Sequence, residues 1–418
     1  MDQFLLALFY FARPIMFIET GLNVGGLNFF ELLTIAFSLL LAGLALWHSI
    51  TGNFDRLSLT EWISVAFVAW CTVAVLVYPE NSNFKTFVKF VFPLVTFMVL
   101  KRIILTREQY LSLIRWMIKG FAVPVALSGI WTVLGRGIGQ EIYWTGLVRY
   151  QGVYADIHHM GHCMGFLIML CVIYTTLNRS LTGSRVSLVS YIGLTAISVV
   201  ALFCLYKSQT RTVYFGLLVF FVLVFLFYNR SQLLIFVSVL VCGAILFAPL
   251  LSTIFYDFVD AAQGKKVEMA GSGRPYIWKH NLEIFSSLPL DKQLAGVGIG
   301  NTLMGDGEQF TQRTKISIDN VWNSHNDFLE LLMETGAIGL ILWAALMCSI
   351  VVKILQFNGS EKWAFFAAFA AIFLMNCMSN SYISRFGLAQ MFFMLFCYFE
   401  IPAREKPNEQ TSVDRVLA

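Results

Sequence analysis

The chain has 418 residues, of which 58% are hydrophobic and 13% charged, with a formal net charge of +4. A soluble domain carries about 25% charged residues, so this composition excludes an ordinary cytosolic fold and points to a polytopic membrane protein. The small net charge, and the lack of any basic run interleaved with aromatics, argue against a nucleic-acid partner.

A membrane-crossing helix needs ~20 apolar residues. Windows of that size fall near 4–18, 28–50, 59–78, 84–105, 110–135, 161–177, 188–206, 212–228, 232–254, 335–355, 362–380 and 386–401. The expected fold is therefore all-α: a transmembrane bundle of about 12 helices. Arg13-Pro14 interrupts the first run with no small-residue cleavage site after it, so that run reads as a retained helix rather than a leader. Pro93, Pro124 and Gly216 lie inside spans, where neighbouring helices accommodate them. The organisation predicted is spans one to nine over 1–254, a long polar loop over 255–334, spans ten to twelve over 335–401, and a polar tail over 402–418.

An even number of spans puts both termini on one side, and charge decides which. With the termini cytoplasmic, the inner loops hold Arg56, Lys101, Arg102, Arg107, Arg179, Arg185, Arg230, Lys353, Lys362, Arg404, Lys406 and Arg415. The short outer loops hold Lys85, Lys89, Arg136, Arg149, Lys207, Arg211 and Arg385. The bias obeys the positive-inside rule, and it places the long loop outside together with an aromatic-rich loop at 136–160.

All eight cysteines, at 71, 163, 171, 204, 242, 348, 377 and 397, sit in or beside apolar runs, which argues for packing residues rather than disulfides or metal ligands. In the long loop, Ile277, Trp278, Leu282, Ile284, Phe285 and Leu288 have the spacing of an amphipathic helix. The turn-rich Gly296-Val-Gly298-Ile-Gly300 follows, with no strand–helix–strand unit around it to make it a dinucleotide fingerprint. At this size the loop is marginal as a free domain and is expected to fold onto the bundle as a lid.

Four polar stations stand out, three at span edges and one inside the long loop. Ser208-Gln-Thr-Arg211 begins the eighth span, where an arginine suits a bidentate phosphate or carboxylate contact or simply snorkels to the interface. Gly271-Ser-Gly-Arg274-Pro275 opens a helix with a cation near its N-terminus, competent for an anion and equally a surface arginine. Trp322-Asn-Ser-His325-Asn326-Asp327 leads into the tenth span, and His325 is either a general base or a helix cap. In Asp156-Ile-His158-His159-Met-Gly-His162 two histidines are four apart, but no further ligand pattern accompanies them, so no metal is assigned and the residues, with Arg149 and Tyr150, read as lining a cavity mouth.

Taken in this order, the Ser-Gln-Thr-Arg211 turn, the Gly-Arg274-x-x-x-Trp278 segment with its downstream Gly-Val-Gly-x-Gly, and His325-Asn326-Asp327 running into Glu334-x-Gly336-x-x-Gly339 resemble the bacterial O-antigen ligase and O-antigen polymerase family. The resemblance implies an inverting membrane glycosyltransferase of the bacterial inner membrane, acting on its periplasmic side. The donor would be an undecaprenyl-diphosphate-linked glycan; the acceptor would be lipid A–core or a second lipid-linked glycan. Arg211 and Arg274 would hold the diphosphate, His325 would take the acceptor proton, and Arg149, Tyr150, Asn326 and Asp327 are possible substrate contacts. The family implies neither metal nor other cofactor. Polymerisation and ligation stay undistinguished, as do the sugar and its linkage. The competing reading is a twelve-helix secondary transporter or lipid-linked glycan flippase, which would place its ionisable residues near the midplane and show repeated halves.

Overall fold

The computed structural model describes residues 2–19, 23–24, 27–51, 57–79, 82–104, 106–142, 147–227, 274–300, 324–380, 383 and 385–401. The first eight helices are α1 (Asp2–Ile15), α2 (Phe29–Thr51), α3 (Leu59–Val77), α4 (Phe84–Ile103), α5 (Arg107–Val133), α6 (Ile157–Thr182), α7 (Leu188–Ser208) and α8 (Arg211–Phe227). Two short helices, α9 (Arg274–Ser287) and α10 (Leu290–Ala295), come from the polar loop, and α11 (Asp327–Gln356), α12 (Lys362–Met378) and α13 (Phe386–Phe396) complete the bundle. Every predicted span except the ninth coincides with one of these helices; the ninth, much of the long loop and the tail lie outside the described residues. Among the described residues, α3, α5, α6, α7 and α11 are long and apolar enough to cross a membrane, and shorter apolar helices run at 32–44, 211–227, 362–378 and 386–400.

Local chemistry sets the helix boundaries. Ser58 and Glu61 form a reciprocal cap at the start of α3, as do Thr106 and Gln109 at α5, and the Asp156 carboxylate accepts from His159 N at the start of α6. Each such cap satisfies backbone donors that the helix leaves open and stabilises by ~1 kcal/mol. Of the five long spans α6 is the centre, 89% of its apolar window being buried, whereas α7 is peripheral at 17%.

The two ends of the bundle differ chemically. At one end Glu61 receives Lys101 and Arg102, each at 2.7 Å, while Glu400 pairs with Lys353 and stands 3.7 Å from Lys101. The Glu361 carboxylate accepts there from Ser180 and the Tyr398 hydroxyl, both at 2.8 Å. The other end gathers Arg149, Asp156, Arg211, Arg274, His325 and Arg385. Between the ends, Arg13 Nε donates to Gln390 Oε1 at 2.8 Å, and the Gln390 amide nitrogen donates to Ser38 and Thr96. This buried polar thread ties α1, α2, α4 and α13 together.

Three local findings depart from the expectations. The predicted outer loop at 136–160 contains an antiparallel hairpin, β3 (Ile138–Ile142) with β4 (Leu147–Tyr150), and a smaller hairpin joins β1 (Asn23–Val24) to β2 (Leu27–Asn28). The tenth span begins at Asp327 rather than 335, because Asp327, Glu330 and Glu334 depress local hydropathy yet are buried on the helix. That helix also breaks at Gly336, whose φ is 69°.

The break is a docking joint for the polar loop. The Met333 carbonyl accepts from Val297 N at 2.9 Å, and the Thr335 carbonyl accepts from Trp70 Nε1 at 2.9 Å. Gly336 faces Gly296 at backbone contact: a Cβ on Gly336 would meet the Leu294 carbonyl oxygen at 2.2 Å, and one on Gly296 the Glu334 carbonyl oxygen at 2.3 Å. Val297 and Ile299 are thereby buried, and the Ile299 carbonyl accepts from Asn83 N at 2.7 Å. This part of the loop packs onto the bundle, and the Gly-x-Gly-x-Gly stretch is a turn, as its sequence predicted.

Gly336→Ala is expected to lose about 2 kcal/mol or more of stability, since it adds both a positive-φ penalty and a backbone clash. Gly43→Ala, with open space at its Cβ, is expected to stay within about 0.5 kcal/mol of wild type. Thermal unfolding of both variants in one detergent checks the difference.

Candidate functional site

Three stretches distant in sequence converge at the cationic end, and each is held by its backbone. In the Ser208–Arg211 turn, Gln209 takes the left-handed conformation at φ 52° and ends α7. Ser208 and Thr210 are fully buried: Ser208 Oγ donates to the Leu205 carbonyl at 2.8 Å, and Thr210 Oγ1 donates to the Ile157 carbonyl at 3.2 Å. From β4, Arg149 donates through Nε to the Ser208 carbonyl at 2.9 Å and through a terminal nitrogen to the Gln209 carbonyl at 3.3 Å. Arg211 is thus the first residue of α8, projecting from a turn that these bonds fix.

Arg274 is the first residue of α9 and donates to the Met378 carbonyl at the end of α12. One turn on, Trp278 Nε1 donates to the Ser324 carbonyl at 2.7 Å. Residues four apart share a helix face, so one face of α9 carries Arg274 and also grips the residue before His325. On the far side of His325, the Asn326 side chain caps α11, accepting from Phe328 N at 3.0 Å and Leu329 N at 3.1 Å. The helix cap is therefore Asn326, and His325 is the residue before it. His325 adopts φ 46°, a left-handed conformation uncommon outside glycine. Such strain persists only where neighbours enforce it, and it concentrates at functional sites.

The electrostatics join the three stretches. Burial, and then the Arg274 guanidinium, hold the His325 imidazole below the usual histidine range. Burial followed by the nearby Arg211 lowers Arg274. Arg149 falls to about 10 through burial and then Arg211, with Arg274 also contributing. Arg211, Arg274 and Arg149 thus repel one another in a partly buried region, with His325 beside them. Arg211 and Arg274 both stand at helix N-termini, the end that favours an anion and disfavours a cation. Both helix ends thus add positive potential beside the cations, which favours an anion there.

The other residues singled out from the sequence fall in two groups. Asn326 and Asp327 serve the backbone around the site: Asp327 is buried and its carboxylate accepts from Ile383 N at 3.3 Å. Tyr150 sits partly buried at the hairpin's end, 5.9 Å from ring centre to the Lys207 ammonium. His158 and His162 owe their spacing to the helix itself, since the His162 ring bonds the His158 carbonyl at 2.7 Å; among the described residues no group of three metal-ligating side chains forms. Sequence reasoning passed over a support network: Arg385 grips Asp156 with two nitrogens at 2.7 and 3.1 Å, and Asn380 donates to Glu330 at 2.7 Å. Arg385 and Asp156 are 229 residues apart, and nothing local in the sequence marks them as a pair.

The geometry predicts that His325 titrates below its ordinary 6.5, and that Arg274→Gln moves it upward because a repelling charge is gone. Histidine-selective isotope labelling and NMR across pH 4–8 (roughly the span bracketing an imidazole) read the shift directly.

Comparison with known proteins adds a family match. A family model described as O-antigen ligase matches residues 196–344, and no curated protein matches the chain. The matched stretch contains Arg211, Arg274, Trp278 and His325, the residues that converge here. Residues 196–344 of this helical membrane bundle thus match an O-antigen ligase domain, which supports the resemblance to the O-antigen ligase/polymerase family.

Proposed function

We propose that the protein transfers a glycan from an undecaprenyl-diphosphate carrier to a sugar hydroxyl at the periplasmic face of the inner membrane. The family implies a glycosyltransferase-type enzyme acting on lipid-linked glycans. The observation that carries the finer reading is the meeting of Arg211, Arg274 and His325, linked through mutual electrostatic influence and through the one α9 face that bears both Arg274 and Trp278.

Arg211 and Arg274 hold the diphosphate. As the bond between the anomeric carbon and the phosphate oxygen breaks, negative charge grows on the leaving group. The Arg274 guanidinium, oriented by the Met378 carbonyl, and Arg211, presented by a pinned turn, stabilise that charge with little reorganisation. The acceptor hydroxyl attacks from the opposite face of the sugar, inverting the anomeric centre, while neutral His325 takes its proton. A histidine held below its usual range is in the base form at neutral pH, as this step requires. Arg149 acts one step back by pinning the turn that presents Arg211, Asn326 and Asp327 do so by holding the backbone beside His325, and Tyr150 is left as a candidate sugar contact. Nothing in this sequence of bond changes calls for a metal or a nucleotide.

His325→Ala is expected to insert normally and to lose about 10²–10⁴-fold in transfer rate, and Arg274→Lys about 10²-fold, since a point charge does not replace a bidentate contact. Trp278→Phe, which removes only the bond positioning Ser324, is expected to cost up to about tenfold in kcat. The assay is reconstituted protein with lipid-linked glycan, offered lipid A–core and a second lipid-linked unit in parallel; wild-type turnover by His325→Ala would remove the base from the mechanism. The acid limb of kcat/KM should lie below pH 6.5 and move up in Arg274→Gln.

A further inference from the structure

A cavity of about 500 Å³ lies between α5, α6 and α7, away from the site just described. Ile118, Ala122, Val125, Leu194, Ile197 and Val200 make its walls apolar, while Arg115, Lys119, Tyr174 and Ser190 supply its polar groups. Its volume is that of a small-molecule site. Its position follows from helix geometry: at ~1.5 Å per residue, Ser190 is ~27 Å along α7 from Ser208, and Lys119 is ~21 Å along α5 from Val133. The polar groups therefore belong to the half of the bundle opposite Arg211 and His325.

The two cations are the informative part. Arg115 Nε donates to the Tyr174 hydroxyl at 3.1 Å, and the Lys119 ammonium sits 4.5 Å from the Trp116 ring centre. Among the described residues no carboxylate pairs with either. Arg115 and Lys119 lie 8 and 12 residues beyond the first residue of α5, so Lys119 stands ~18 Å along the helix, well inside a span. Cations at such depth are costly and mark a binding function more often than a structural one. Both side chains are exposed, as is the adjoining start of α7, so the cavity opens outward toward the surrounding lipid, with no other described helix across its mouth. At Gly193 a Cβ would meet nothing within 4 Å, which leaves room at the α7 wall.

We propose that this cavity binds an anionic glycerophospholipid, with one acyl chain in the apolar slot and the phosphate on Arg115 and Lys119. Tyr174, which accepts from Arg115, keeps its own hydroxyl proton to donate to a phosphate oxygen. Charge complementarity selects an anionic headgroup over a zwitterionic one, and the slot selects a lipid over a free phosphate. The bound lipid would fill a gap between α5 and α7 that side chains leave open, and so brace the central α6 from the membrane side.

The test uses the full chain, purified in mild detergent, with lipid retention read by native mass spectrometry and unfolding temperature read as lipid is added. Phosphatidylglycerol should bind at least about tenfold more tightly than phosphatidylcholine and raise the unfolding temperature; glycerol 3-phosphate, which has the headgroup anion and no chain, should do neither. Arg115→Gln with Lys119→Gln should remove the preference for phosphatidylglycerol. Gly193→Leu, which keeps both cations and fills the slot, should remove retention altogether. The two variants are independent, so misfolding of one leaves the other to decide. Equal retention of both phospholipids, or unchanged phosphatidylglycerol binding in a folded variant, overturns the proposal. Binding of glycerol 3-phosphate at the same strength would overturn it in favour of a free-anion site. Displacement of phosphatidylglycerol by a polyprenyl phosphate at lower concentration would overturn it in favour of the carrier lipid. None of these outcomes depends on His325, so the assignment can fail while the transfer reaction stands.

Discussion

Holding like charges together in a place with little water is the constraint from which the rest follows. Arg149, Arg211 and Arg274 influence one another while partly buried. Among the described residues, backbone carbonyls fix two of them: Ser208 and Gln209 accept from Arg149, and Met378 accepts from Arg274. A carbonyl orients a guanidinium without cancelling its charge, so the site remains attractive to an anion. A carboxylate in the same place would satisfy the arginine and close the site to a diphosphate. The acid beside them, Asp156, is occupied by Arg385, which takes both of its oxygens and holds its carboxyl far below the usual carboxylate range, opposing the burial that would raise it.

The opposite end of the bundle shows the contrasting solution. There Glu61 and Glu400 meet Lys101, Arg102 and Lys353 directly. Those pairs close the ends of α3, α4 and α11 against the 3-10 turn that follows α13, and a half-buried pair that has both partners is a structural joint rather than a vacancy for substrate. The same three cations are among those that the charge bias places on the inner side. Structural ion pairs and a carbonyl-held cation cluster thus occupy different ends of one bundle, consistent with chemistry confined to one membrane face in the proposed reaction.

Much of this was legible in the sequence, and the limits have physical causes. Helices were readable because an apolar run long enough to span lipid leaves a strong signal; Arg211 and His325 stand out as polar residues near the edges of such runs, and Arg274 through the Gly-Ser-Gly-Arg-Pro helix start inside the long loop. Hydropathy put the start of α11 too late for the same reason: Asp327, Glu330 and Glu334 look like loop residues, yet the fold buries them. The β3–β4 hairpin is too short to carry a clear alternating pattern. The Arg385–Asp156 pair and the carbonyls that hold the arginines depend on the path of the chain through space, which no local pattern encodes. The two glycines at the joint, Gly296 and Gly336, were each visible, but their need to be glycine comes from meeting one another.

That joint has a consequence for His325. Its left-handed backbone costs about 1–3 kcal/mol, and the neighbouring bonds must offset that cost. Trp278 holds Ser324 from α9, Asn326 caps α11, and the break at Gly336 lets α10 and the following turn seat against the upper part of α11. α9, α10 and the turn form one continuous stretch, so the docking of Gly296 on Gly336 fixes where α9 can lie and hence where Trp278 and Arg274 point. A straight α11 would offer no free carbonyl to Val297 and no gap for Gly296. The kink therefore does for the base and one arginine what the pinned Ser208–Arg211 turn does for the other: it converts a flexible polar excursion into a fixed position, so that the charges meet an incoming anion without first having to be ordered.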